Sequence, residues 1–270
     1  MAEINDIIAD VRALLNQSPQ ARRGKLMVSP EFAAWLEQAP ASDSMPTSPS
    51  VAAPVADVPA AAADSSDREA KLAALAQEVA ACTKCGLCES RKQTVFSDGS
   101  PFAEVVFVGE APGADEDAQG VPFVGRAGQL LTRIIERVMG MKREEVYICN
   151  VLKCRPPGNR DPEASEMTAC LPHLSRQLAL VRPKAIVALG RHAARALLDT
   201  DDSIARLRGR WHFYEGIPVR VTYHPAYILR CEGEEKERTE KAKVKADIDE
   251  VMRVLSGEIA PASDGHASQS

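Results

Sequence analysis

Four short runs of the chain are largely apolar: Val105–Val108, Val146–Leu152, Lys184–Leu189 and Ile217–Tyr223, the last interrupted by Pro218, Arg220 and Thr222. Runs of this length, rich in β-branched residues and closed by Gly, Asn or His, predict strands buried on both faces. The segments between them are apolar at helical spacing. Leu72, Leu75, Ala76 and Val79 mark a helix over Asp67–Ala81; Leu130, Leu131, Ile134, Ile135 and Val138 mark one over 126–140. A third helix is predicted from about Pro162 to Leu180, with Asp161 as N-cap and Pro162 in the first turn. A short helix follows Gly190, and a charged one spans roughly 234–255. Strands alternating with helices predict an α/β fold with a mostly parallel sheet covered on both faces.

The pattern weakens at both ends. Ile4, Ile7, Ile8, Val11, Leu14 and Leu15 form one helical stripe over 3–16, and Phe32, Trp35 and Leu36 a shorter one over 31–37. Helices this short are marginal alone, so they read as a tail, or as a peptide that folds in a partner protein's groove. Residues 39–66 are Ala, Pro or Ser at 20 of 28 positions and offer nothing to bury. The predicted layout is a disordered tail over 1–66, one domain over 67–256 and a polar tail over 257–270.

Charge redistributes on this division. The net charge of −5 is concentrated outside the domain: residues 1–66 carry four basic and eight acidic residues (−4) and residues 257–270 add −2, leaving 67–256 at +1. A near-neutral domain can present a basic face to phosphates. Hydrophobic residues at 45% supply a sizeable core, but no run of 18 apolar residues exists and no membrane span is expected. The first residues lack a basic n-region and a cleavage site, so a cytoplasmic location is expected.

Seven cysteines in such a compartment point to metal or cluster ligation rather than disulfides. Cys82 and Cys85 form a CxxC, and Cys154 and Cys170 make a second pair. Together they could hold zinc or an iron–sulfur cluster, with Cys88 a competing ligand. Cys149 lies in an apolar strand and reads as core; Cys231 is open between surface and core.

Strand ends deliver the remaining chemistry. The loop after the first strand carries Glu110, Asp115, Glu116, Asp117 and Phe123; the second strand ends at Asn150 with Lys153 and Arg155 beyond; the fourth delivers His224. Ligands in open α/β sheets bind beyond the carboxyl ends of the strands. A carboxylate, an amide, an imidazole and an aromatic ring meeting there would suit a planar polar heterocycle.

The segments GEAPGADED with PFVGRAGQLL, NVLKCRPPGNRDP and HPAYILR, in this order and with CxxC upstream, resemble the family 4 uracil-DNA glycosylases, the iron–sulfur members of their superfamily. The resemblance covers roughly 75–255. It implies a three-layer α/β/α fold with a central four-stranded parallel sheet, and hydrolysis of the N-glycosidic bond of deoxyuridine in single- or double-stranded DNA after base flipping, initiating base excision repair. It implies a [4Fe-4S] cluster on Cys82, Cys85, Cys154 and Cys170, with Cys88 unligated.

The same resemblance implies a uracil pocket of Glu110, Ala111, Pro112, Phe123, Asn150 and His224. Phe123 stacks on the base, Asn150 reads its polar edge, and His224 stabilises charge on O2. Where family 1 enzymes carry a water-positioning Asp, this chain has Ala111, so Glu110 is the first candidate for that role, with Glu116 and Asp117 behind it. Tyr227, Ile228 and Leu229 are implied as the wedge filling the space of the flipped base. Arg126, Lys153, Arg155, Arg160 and Arg230 are candidate phosphate contacts. No basic insertion with a reactive histidine follows Cys154, in contrast to a covalent-binding branch of the superfamily. The protein is expected to act as a monomer. The competing readings are an iron–sulfur electron carrier and an iron–sulfur nucleic-acid-binding protein without glycosylase activity.

Overall fold

The computed structural model describes residues 60–231 and 233–261. The two amphipathic stripes of the N-terminal tail and most of the C-terminal tail lie outside the described residues. Among the described residues no helix is long and apolar enough to cross a membrane.

The sheet has six strands and is mixed. β1 (Asp98–Gly99), β2 (Val105–Gly109), β3 (Tyr147–Asn150), β4 (Ala185–Leu189), β5 (Trp211–Tyr214) and β6 (Ile217–Thr222) lie in the order β1-β3-β2-β4-β6-β5. The inner strands β3, β2, β4 and β6 pair in parallel, whereas β1 and β5 pair antiparallel at the two edges. The expectation of four parallel strands therefore lacked the edges. β5 joins β6 through Glu215 and Gly216, both at positive φ. That backbone matches the tight hairpin turns whose twist suits antiparallel strands.

Inner strands β2, β3 and β4 read as nearly continuous apolar runs because both their faces are covered, whereas β6 carries the buried Arg220 and Thr222. Val106 and Val108 point to one face, where they meet α1 (Ala60–Ala80), α4 (Ala164–Val181) and α5 (Arg191–Leu198) through Leu72, Leu174, Leu178, Ala194 and Leu197. Val105 and Phe107 point to the other, against Leu131 of α3 (Arg126–Ile134), Ile228 of α7 (Pro225–Ile228), and Val244, Ile248 and Val251 of α8 (Glu234–Leu255). Two further short helices, α2 (Ala114–Gln119) and α6 (Ile204–Leu207), belong to connections. The helix predicted over 126–140 is α3 followed by a π-turn over Ile135–Met139, closed by Gly140.

Two details differ from expectation in ways that shape the site. The first helix begins at Ala60, ahead of Asp67. α4 begins at Ala164 with Glu163 as N-cap, so Asp161 and Pro162 stay outside it. The cause is Glu166, whose carboxylate accepts the Glu163 N–H at 2.8 Å and the Arg160 guanidinium at 2.5 and 2.9 Å. The carboxylate inside the first turn anchors the helix, and Asp161 is free to project elsewhere.

A buried ion network holds the end of β6. Asp247 of α8, 1% exposed, accepts from Arg208 Nε at 2.8 Å and from Thr222 Oγ1 at 2.7 Å, and Arg220 approaches at 3.4 Å. Shared acceptors keep these buried charges compensated. Residue 222 is the last of β6, so the network fixes where the chain exits toward His224.

Candidate active site

β2 neighbours β3 on one side and β4 on the other. The chain thus reverses direction across the sheet beside β2, which opens a crevice at the carboxyl ends of these strands. A cleft of about 740 Å³ lies there. Glu110, Ala111, Pro112, Phe123, Asn150 and His224 all line it, together with Glu116, Arg160, Tyr227 and Arg230. Asp161, read from the sequence only as a helix N-cap, lines it too, as do Arg191, His192 and Tyr223, which the sequence pattern did not mark as site residues.

The floor is set by the ends of β2 and β3. Gly109 O accepts the Val151 N–H at 2.9 Å and Glu110 O accepts the Leu152 N–H at 3.0 Å. Asn150 is 2% exposed, and its Oδ1 has no partner within the protein. A buried acceptor without a partner costs roughly 1–3 kcal/mol, so this amide oxygen is poised for a donor entering the cleft. Glycine is required at 109: a Cβ there would stand 2.3 Å from Asn150 Oδ1 and 2.5 Å from Phe123 Cζ.

Phe123 is held in a strained conformation, φ 55°. The left-handed region is uncommon for a bulky residue and persists only where its surroundings enforce it. Gly128 lets the Phe123 backbone pack onto α3, since a Cβ at 128 would fall 1.8 Å from Phe123 O. Arg143 Nη2 donates to Pro122 O at 2.7 Å. Glu116 closes the loop from the other end: Oε1 accepts from Val124 N and Gly125 N at 2.9 Å each, and Oε2 from Gly113 N at 3.0 Å. These contacts spend the Glu116 carboxylate on shaping the loop. Asp117, 2% exposed and outside the cleft lining, accepts the Lys92 N–H at 3.0 Å. Glu116 thus lines the cleft with its carboxylate engaged by backbone donors and Asp117 stays out of the lining, which leaves both behind Glu110 as catalytic candidates.

His224 caps α7, its Nδ1 accepting the Ala226 N–H at 3.1 Å. The lone pair is therefore on Nδ1, and in the neutral ring Nε2 carries the proton. Crowding by protein atoms, then the nearby Arg230 charge, hold the imidazole down at about 4. At neutral pH it is an uncharged donor 5.6 Å, ring centre to ring centre, from Phe123. Glu110 moves the other way. Burial first, then the Asp161 charge, push its carboxyl up to about 7 against the opposing pull of Arg191 and Arg230. Acid and base behaviour are thus driven apart in one cleft.

The outer residues divide. Tyr227 lines the cleft and packs on Tyr223 with ring centres 4.8 Å apart. Leu229, 37% exposed, is an open apolar side chain at the end of α7, but Ile228 is 2% exposed and belongs to the core. That corrects its place in the wedge. Lys153 is 1% exposed, and its Nζ donates to Asn150 O at 2.6 Å. It braces the strand end from within and is corrected as a phosphate contact. Arg160 is committed to Glu166, and Arg155 Nε to Asn159 Oδ1 at 2.8 Å. Arg126 opens α3 outside the cleft lining.

The cysteines meet elsewhere, on the far side of Lys153. Cys82, Cys85, Cys88, Cys154 and Cys170 line one small cavity with Arg91 and His173. Cys154 and Cys170 are 7% and 9% exposed. The Lys153 N–H donates to Cys170 Sγ at 3.3 Å and Arg91 Nη1 to Cys154 Sγ at 3.2 Å. Cysteines converging on one cavity, with N–H donors aimed at two of the sulfurs, fit a cluster, whose anionic sulfurs such donors stabilise. Cys149 is buried in the sheet core, and Cys231 is half-buried with its Sγ 3.5 Å from Tyr227 O.

Comparison with known proteins agrees with this geometry. Residues 96–249 match the model of the uracil DNA glycosylase superfamily. The type-4 uracil-DNA glycosylase of Sulfurisphaera tokodaii is 48% identical over 161 residues, covering 57% of this chain and 73% of that protein. The type-4 enzyme of Thermotoga maritima is 43% identical over 183 residues, covering 65% and 95%. A type-5 uracil-DNA glycosylase of Pyrobaculum aerophilum is more distant, at 34% over 144 residues. The chain belongs to the uracil DNA glycosylase superfamily, and within it to the type-4 uracil-DNA glycosylases.

Proposed function

We propose that the cleft at the β2–β4 switch point is where this uracil-DNA glycosylase hydrolyses the glycosidic bond, and that each wall has a separate task. A base inside the duplex is out of reach, so the nucleotide must be flipped. Phe123 offers its face for stacking. Asn150 Oδ1 accepts from the uracil N3–H, and cytosine, which has a lone pair at N3, leaves that buried oxygen unmatched. The neutral His224 donates its Nε2–H to uracil O2 as negative charge builds on the departing base. Glu110 holds the attacking water and faces the cation-like sugar. Tyr227 and Leu229 fill the space vacated in the stack, and Arg230, Arg155 and Arg126 approach phosphates.

The observation that carries this reading is Asn150 Oδ1, buried and partnerless in the same cleft as Phe123 and a neutral, oriented His224. Its test is uracil release from an oligonucleotide by wild type and by Asn150→Ala. The expected result is a rate lowered at least tenfold in the variant with DNA affinity retained; an unchanged rate overturns the pocket assignment. The rival, a DNA-binding protein without activity, requires that wild-type holoprotein release no base.

We also place a [4Fe-4S] cluster on Cys82, Cys85, Cys154 and Cys170. When bound it supplies structural cross-linking, tying the end of α1 to the loop after β3 and to α4. The backbone N–H of Lys153 and the Arg91 guanidinium support it from the protein side. Iron and acid-labile sulfide at a ratio of about one, rather than zinc, are the expected contents. The segment ahead of α1, which is most of the 1–66 tail expected from the sequence, is read as lying outside the catalytic domain and able to bind a protein partner.

A further inference from the structure

Beside Glu110 stand groups that the mechanism above does not use. His192 Nε2 lies 3.8 Å from Glu110 Oε2 and 3.5 Å from Asp161 Oδ2. Arg191 Nη2 is 3.2 Å from Asp161 Oδ2 and 3.2 Å from His192 Nε2. His192 Nε2 thus stands among the Arg191 guanidinium and two carboxylates, and its tautomer decides which of them it bonds. Burial holds the His192 imidazole below its ordinary range against the opposing pull of Asp161. The origin of the arrangement is local. Asp161 is free because Glu166 took over the start of α4, and Arg191 and His192 open α5 directly after β4.

We propose that Asp161 and His192 are positioning residues for the hydrolysis: together with Arg191 they set the charged surroundings of Glu110 Oε2 and govern its readiness to take a proton. The proposal rests on Glu110 as the water-holding carboxylate. In the step concerned, the water oxygen bonds to C1′, the C1′–N1 bond breaks with its electron pair passing to uracil, and a water proton passes to Glu110. Asp161 places a negative charge near Glu110, which favours the protonated product of that transfer. His192 fixes Arg191 as a counterweight, so the guanidinium neither leaves nor pairs with Glu110 outright. A base whose proton affinity lies near the working pH is the most effective.

The groups facing Glu110 are few. Arg191 and His192 come from α5 and Asp161 from the segment ahead of α4. Arg230 lies beyond α7, while His224 and Glu116 line the same cleft. Arg160 also lines it but is held by Glu166.

The test is the pH profile, from 5 to 9, of single-turnover uracil release from a saturating single-stranded oligonucleotide by the holoprotein. Asp161→Asn should move the acid limb to lower pH by roughly half a unit, a modest shift because Asp161 is largely exposed and its field is screened. Arg191→Gln should move it the opposite way. His192→Leu should lower the plateau rate by about tenfold, as expected for misplacing a reacting group, and His192→Gln, whose amide can donate or accept in its place, should recover most of it. Melting temperature and cluster absorbance are recorded for each variant; if His192→Leu does not fold, the two charge variants and His192→Gln decide. Limbs that overlie wild type, or that move in the same direction for both charge variants, overturn the proposal. Glu110→Gln separates the two layers: if it is slow while Asp161→Asn overlies wild type, only the present proposal fails. If Glu110→Gln keeps the wild-type rate, the Glu110 assignment fails and this proposal with it.

Discussion

Replacing Glu110 by Gln should make the protein more stable and nearly inactive, with a pH dependence that follows from the cleft. The Glu110 carboxyl is raised from 4.5 to about 7 by burial and by Asp161. The folded state therefore favours the protonated form, and folding takes up a proton between these two values. By linkage, this residue's contribution to stability is best below pH 4.5 and declines as pH rises to 7, above which the loss is complete. The shift of about 2.5 units at 1.36 kcal/mol each gives an upper bound of about 3.4 kcal/mol. With 32% of the side chain exposed to solvent, screening reduces that to about 2 kcal/mol. Glutamine keeps the shape without the charge. Glu110→Gln should gain that amount at pH 8, or about 4–8 °C in melting temperature for a domain of this size, and only about a quarter of it at pH 5, where the unfolded carboxyl is already mostly ionised. Uracil release should fall by about two to three orders of magnitude, as for loss of a general base. Thermal melts at both pH values and a single-turnover assay check both halves. Equal melting temperatures at pH 8 would refute the strained carboxylate, and an undiminished rate would refute its role.

Three other substitutions probe separate parts of the account. His224→Ala should slow uracil release by about 10²–10³, the usual effect of losing one donor to a developing anion, while circular dichroism and melting stay near wild type. Gly109→Ala should reduce activity by about 10² with Asn150 and Phe123 displaced in a crystal structure, because its Cβ would stand 2.3 Å from one and 2.5 Å from the other; a fully active variant would contradict the tight floor. Cys154→Ala should lose iron, absorbance near 400 nm and melting temperature together, and a stable, active, iron-free variant would contradict a structural cluster.

What the sequence shows and what it hides differ by the kind of force involved. Inner strands β2, β3 and β4 are legible because burial on both faces leaves a nearly uninterrupted apolar run, and β6 is legible from Ile217, Val219 and Val221 despite Arg220. The edges are not: β1 is two residues long, and β5, Trp211–Tyr214, is half-buried and carries no such run. Its signal is the Glu215-Gly216 turn instead. Glu110, Asn150 and His224 are visible as polar residues that end apolar runs. The same rule applied to β4 leads past Gly190 to Arg191 and His192, which were passed over as the first turn of a helix. Asp161 was masked by its proline, since Asp-Pro ahead of an apolar stripe is also how a helix begins. Lys153 looked like a phosphate contact because it adjoins Arg155. Its burial depends on α4 closing over the loop, and spacing along the chain does not reveal that. The ion network around Asp247 joins residues 39 and 25 positions apart and likewise leaves no local pattern.

The most direct test of the central claim uses one oligonucleotide sequence carrying uracil, cytosine or thymine at a single position. It is presented single-stranded and paired, and alkali cleaves the strand wherever a base has been released. Wild-type holoprotein should yield cleavage at uracil in both forms and none at cytosine or thymine, and His224→Ala should slow the uracil reaction by about 10²–10³. Release of cytosine at a comparable rate, or no release of uracil from either form, would contradict a cleft built to read and expel uracil.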